Sequence, residues 1–103
     1  MDSVRVYHEG KWVDMLMMFK LVNYHADDTR QVDTYLYNPR EGSILKKSKE
    51  DYTPPGFSET IAWSYTLLPS QAEELLDKYA GHPAVQEVRR DMRLRSALGE
   101  SDQ

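Results

Sequence analysis

The stretch WVDMLMMFKLVNY, residues 12–24, decides the fold, because it satisfies two periods at once. Read as a strand, Val13, Met15, Met17, Phe19 and Leu21 line one face, and Trp12, Asp14, Leu16, Met18 and Lys20 line the other. Read as a helix, Trp12, Met15, Leu16, Phe19 and Val22 share a side, and Met and Leu favour helix. Two observations favour the strand. Glu9-Gly10, just upstream, offers a tight turn because Gly tolerates positive φ, and no N-cap residue precedes Trp12. Before that turn Val4 and Val6 alternate with Arg5 and Tyr7, so the chain is expected to open with a β-hairpin.

Downstream, Ala26-Asp27-Asp28-Thr29-Arg30 is a turn by composition. Val32, Thr34 and Leu36 then alternate with Asp33, Tyr35 and Tyr37 as a further strand. Asn38-Pro39-Arg40-Glu41-Gly42 is a strong turn signal, and Ile44-Leu45 begins a short return strand. Residues 46–56 are polar, end in Pro54-Pro55-Gly56, and read as an exposed loop. The clearest strand covers residues 57–68. Phe57, Ile61, Trp63, Tyr65 and Leu67 oppose Ser58, Thr60, Ala62, Ser64 and Thr66, the pattern of a half-buried antiparallel strand.

The periodicity then changes. Ser70 and Glu73 form an S-x-x-E capping box, and Ala72, Leu75, Leu76 and Tyr79 make one apolar stripe. Gly81 suits the end of this helix. Pro83 suits the first turn of another, with Ala84, Val85, Val88 and Met92 facing inward. The expected fold is α+β: an antiparallel meander of four to five strands packed against two C-terminal helices. Residues 1–98 form the single domain and 99–103 a flexible tail.

A chain of 103 residues supports one modest core. Its net charge of −4 lacks the basic footprint of nucleic-acid domains and argues against that class of partner. The absence of cysteine excludes disulfides, thiolate nucleophiles and Cys-based metal sites. The longest apolar stretch runs from Met15 to Val22, broken at Lys20, too short for a membrane span. The first residues lack the basic region of a signal peptide. A cytoplasmic setting without membrane partners is the expectation.

No catalytic or cofactor motif is present: the glycines never cluster, and G-x-S-x-G and HExxH are both missing. Two surfaces stand out as binding candidates. Tyr35 and Tyr37, if they lie on a sheet face the helices leave open, give a platform for a partner protein. Arg89, Arg90, Arg93 and Arg95 give an Arg-rich last helix able to dock an acidic surface. Arg95 breaks the pattern, because at about 100° per residue it falls on the apolar stripe between Val88 and Met92. The resulting expectation is a non-catalytic interaction module, with homodimerisation through open sheet edges. The alternative is a small-molecule or metal site, in an enzyme or a binding domain, built from Tyr24, His25, Asp27 and Asp28, since His and carboxylates in one loop suit a divalent ion.

Overall fold

The computed structural model describes residues 1–25, 29–52 and 59–101. Five strands pair in chain order as one antiparallel meander: β1 (Ser3–His8), β2 (Lys11–Tyr24), β3 (Thr29–Asn38), β4 (Ser43–Tyr52) and β5 (Glu59–Thr66). Two helices follow, α1 (Pro69–Lys78) and α2 (Pro83–Ser101). This is the α+β architecture expected from the sequence, and residues 12–24 fall in a strand.

The β1–β2 turn forms because Glu9 and Gly10 take φ of 51° and 80°. Two successive positive values give the primed turn whose twist matches that of the flanking strands. Within β2 the register shifts between Met17 and Phe19, a β-bulge. With a side-chain period of two, one extra residue sends everything beyond it to the opposite face. The unbroken apolar face from Val13 to Leu21 is therefore split. Val13, Met15 and Met17 point to one side of the sheet, and Phe19 and Leu21 join Leu16 and Met18 on the other.

Each side buries its own cluster. On the helix side, Met18, Tyr35, Tyr37 and Ile44 pack beneath Leu76, Ala84, Val85 and Val88. The Phe19 ring lies 5.3 Å from Tyr35, 5.1 Å from Tyr79 and 5.1 Å from His82, joining sheet and helices. On the opposite side, Val6, Met15, Leu36 and Leu45 are buried with Val4, Val13 and Met17 around them. Neither helix packs on that cluster. The sheet curls over it as a half-barrel, and His8 Nε2 and Thr66 Oγ1, from the first and last strands, approach to 3.4 Å.

The helix boundaries depart from expectation in three places. α1 starts at Pro69, whose fixed φ suits a first helical position, so Ser70 lies inside the first turn and is not the cap. The Gln71 side-chain carbonyl instead accepts the Leu68 N–H at 2.9 Å. Gly81 has no positive φ and does not terminate α1, which caps at Tyr79; His82 Nδ1 accepts the Ala84 N–H at 3.1 Å and caps α2. The expected tail is helical as far as Ser101, because one Gly costs a helix only about 1 kcal/mol against Ala and Gly99 does not stop it. Residues 46–52, expected in a loop, continue β4. The rest of that loop (53–56), Phe57 and Ser58, and residues 102–103 lie outside the described residues.

The β3–β4 connection is held by α2. Gly42 has φ of 69°, and a Cβ there would stand 2.6 Å from Arg95 Nε. Arg95 donates to the Pro39 carbonyl at 2.6 Å, so its side chain is not free to retreat. Gly42→Ala is expected to lower stability in urea unfolding by about 1–2 kcal/mol, from left-handed backbone strain plus displacement of Arg95. Gly81→Ala, which meets nothing within 4 Å, should change it little. Equal effects of the two substitutions would contradict this account.

Candidate functional site

The open end of the half-barrel forms a trough of about 670 Å³ on the face away from the helices. Its rows follow from the strand register. Nearest the closed end, Met17 pairs with Leu36, and Leu36 with Leu45. The next row runs Lys20, Thr34, Lys47, Ser64; the one beyond it runs Val22, Val32, Lys49, Ala62. Arg30 and Asp51 lie beside each other further toward the mouth. The trough thus has an apolar inner end and a cationic middle.

Its charge runs against that of the chain. Arg5, Lys20, Arg30, Lys47 and Lys49 line it, and among the described residues Asp51 is the one acidic residue of the lining, in a protein of net charge −4. Asp51 already accepts the Thr60 hydroxyl at 2.9 Å. Among the described residues, none of the five cations is in an ion pair. A concave site lined by one sign of charge, with an apolar floor, focuses potential toward an anion. Trp63 sits at its β5 wall.

The helix side is closed by a polar group of a different kind. Buried Asp33 accepts Ser48 Oγ at 2.6 Å and Gln31 Nε2 at 3.0 Å, with Lys46 Nζ at 3.9 Å. Lys46 also lies 5.9 Å from the Tyr35 ring centroid and 5.8 Å from that of Tyr65. Burial raises the Tyr35 hydroxyl above its usual range. For Lys46, burial acts to lower the ammonium, but Tyr35, Asp33 and Tyr65 outweigh it and the net shift is upward. These groups satisfy one another and leave Lys46 a fixed cation.

The residues expected to bind a partner are dispersed. Tyr35 and Tyr37 are 7% and 1% exposed and lie beneath the helices, so the expected aromatic platform is not presented. The cause is alternation: β3 turns Val32, Thr34 and Leu36 toward the trough, which leaves the tyrosines on the covered face. Arg89 is held between Glu73 and Asp77 of α1, and Arg95 is bound to the β3–β4 connection. Arg90 and Arg93 remain exposed, with Arg93 Nε donating to the Arg89 carbonyl at 3.3 Å. Lys47 and Lys49 face the trough while Lys46 faces the helix side.

Tyr24 and His25 are exposed at the end of β2. Asp27 and Asp28 lie outside the described residues, and with them the expected metal or ligand cluster. Among the described residues, no group of three or more His, Asp or Glu is placed to hold a metal ion. Lys47 and Lys49 were missed in the sequence because a polar stretch after Leu45 reads as loop. The available signal was its alternation, in which Leu45, Lys47, Lys49 and Asp51 fall on one face. No helix of the described residues is long and apolar enough to cross a membrane. The chain matches no protein-family model, no curated protein and no solved structure.

The buried Tyr37 hydroxyl donates to Asp91 of α2 and links sheet to helix. Burial first, then that bond, push its pKa well above the ordinary 10.0, with Arg95 pulling the other way. Below pH 10.0 the tyrosine keeps its proton folded or unfolded, and its contribution is intact. At higher pH the unfolded chain releases the proton first, so stability falls as pH rises toward the folded value. Urea unfolding at about pH 9 and about pH 11 should show a smaller alkaline loss for Tyr37→Phe than for the wild type. Identical losses would remove Tyr37 as the cause.

Proposed function

We propose that this chain is a non-catalytic binding module whose half-barrel trough takes an anionic amphiphile, a small molecule with an apolar body and a carboxylate, phosphate or sulfonate head. The observation that carries this reading is the lining itself: among the described residues, five basic residues against one acidic, over an apolar floor, in an acidic protein. The volume suits a small ligand, since pockets of this kind span roughly 300–1,000 Å³. The apolar body lies toward Val4, Val6, Met17 and Leu36. The head lies toward Lys20 and Lys47, where Thr34 and Ser64 place hydroxyls in the same row. Histidine is absent from the described lining, and Ser48, whose Oγ donates to Asp33, is engaged on the other side of the sheet.

An apolar tail supplies affinity through buried area, and the cations select among amphiphiles by sign. A neutral ligand leaves the ammonium and guanidinium groups partly desolvated without a partner, which is where discrimination arises.

The test is a titration with 8-anilinonaphthalene-1-sulfonate followed by fluorescence, with laurate and dodecanol as competitors. Laurate should displace the probe, with an affinity that falls as salt is added. Dodecanol should compete poorly. The double substitution Lys47→Glu/Lys49→Glu should weaken laurate binding by about tenfold or more, equivalent to at least about 1.4 kcal/mol. Equal competition by laurate and dodecanol, or an unaffected double variant, would overturn the reading. So would a single-stranded oligonucleotide that binds where laurate does not.

A further inference from the structure

The cations of the trough are not evenly spread. Lys20 of β2 and Lys47 of β4 lie on either side of Thr34 of β3 in one row, and Ser64 of β5 continues it. Lys49 stands in the next row, between Val32 and Ala62. Among the described residues neither row holds an acid. Arg30 differs, because Asp51 lies directly across from it. Positive charge is therefore least compensated at Lys20, Lys47 and Lys49, with Thr34 between the first two.

The hydroxyls of that row are open as well. Ser43, Ser48, Thr60 and Thr66 each have a side-chain partner, whereas among the described residues the Thr34 and Ser64 hydroxyls have none. Adjacent strands lie about 4.8 Å apart, so the backbones of Lys20 and Lys47 are about 10 Å from each other. The flexible lysine stems let both ammonium groups converge above Thr34. Two like charges converge favourably only around an anion that answers both. A carboxylate brings one charge and two oxygens. A phosphomonoester brings about 1.5 to 2 negative charges at pH 7 and three terminal oxygens, enough for both ammonium groups and the hydroxyl between them. Lysine binds phosphate as a point charge, without the planar fork of arginine.

From this row, and resting on the trough as the site of an anionic amphiphile, we infer that the head group of the ligand is a phosphomonoester. Lys20 and Lys47 take its charge, and the Thr34 hydroxyl donates to the oxygen between them. The ester oxygen points to the apolar end, toward Met17 and Leu36. A phosphodiester, as in a nucleic-acid backbone, brings one charge and two terminal oxygens, and so matches this row no better than a carboxylate does.

Calorimetric titration of the full chain tests this with laurate, dodecyl sulfate, dodecyl phosphate and inorganic phosphate, each amphiphile below its micellar concentration. At about pH 8 dodecyl phosphate should bind about tenfold more tightly than dodecyl sulfate, which has three terminal oxygens but a single charge. That advantage should shrink to about twofold at about pH 5, below the second phosphate pKa of about 6. The charged residues of the described lining are Arg5 on β1, Lys20 on β2, Arg30 on β3 and Lys47, Lys49 and Asp51 on β4. Dodecyl sulfate at both pH values reads any titration of these groups. Inorganic phosphate, a head without a body, should bind at least about tenfold more weakly than dodecyl phosphate. Thr34→Val, with an unchanged circular dichroism spectrum, should weaken dodecyl phosphate about fivefold and leave laurate unchanged. Laurate binding with dodecyl phosphate no tighter than dodecyl sulfate, or with an advantage that ignores pH, would overturn the phosphomonoester and leave the amphiphile reading in place. Inorganic phosphate as tight as dodecyl phosphate, or a Thr34→Val protein that keeps the full preference, would overturn it equally. Failure of laurate and dodecyl sulfate alike would remove the amphiphile reading and the phosphomonoester with it.

Discussion

The bulge at Met17–Phe19 is the constraint on which the rest depends. A strand with strict alternation would commit its apolar residues to one face and leave the other polar. The single extra residue in β2 lets its first half line the half-barrel interior with Val13, Met15 and Met17, while its second half supplies Phe19 and Leu21 to the helix layer. The same inversion turns Lys20 and Val22 into the trough. One backbone irregularity thus sets which residues are core and which are site, and bulges re-aim side chains in this way.

The helix layer is closed by polar locks as well as by apolar packing. Tyr37 donates to Asp91, Arg95 grips the Pro39 carbonyl, and Arg89 joins the two helices through Glu73 and Asp77. Buried polar groups stabilise only when their partners are present, and among the described residues no buried side-chain nitrogen or oxygen lacks one. These locks engage Arg89 and Arg95, two of the four arginines of α2, and leave Arg90 and Arg93 exposed. They also explain Arg95, which sat on the apolar stripe of α2 in the sequence: that stripe faces the β3–β4 connection, where a carbonyl and a glycine receive the guanidinium.

The meander and both helices were legible because their signals are local. Gly10, the Asn38–Gly42 turn, Pro69 and Pro83 punctuate the chain, and periodicity fills the intervals. The faces were harder, since alternation says which residues share a side without saying which side the helices choose. Alternation put Tyr35 and Tyr37 on one face without saying whether it was the open one, and β3 turns them beneath the helices. β5 failed in the opposite sense. Its large apolar face is exposed, because the helix-side core is built on β2 to β4 and takes in none of Ile61, Trp63 and Tyr65. β4 was cut short for a third reason, that strand propensity reflects burial, and a strand facing a cationic trough does not look like one.

Net charge says little about the local charge of the trough, and distance explains why. At physiological salt, charges on a protein surface act over about 8 Å, so a ligand responds to the side chains around it and hardly to the total. Four acids of this chain are committed elsewhere: Glu73 and Asp77 to Arg89, Asp91 to Tyr37, Asp33 to Ser48 and Lys46. The trough cations have no such partners among the described residues, and their mutual repulsion opposes folding. An anion held among them relieves that repulsion only in the folded state, so ligand binding and stability are linked through the same five side chains. Charge reversal at Lys47 and Lys49 should therefore act in two directions, making the empty protein more stable as it weakens the affinity for an anion.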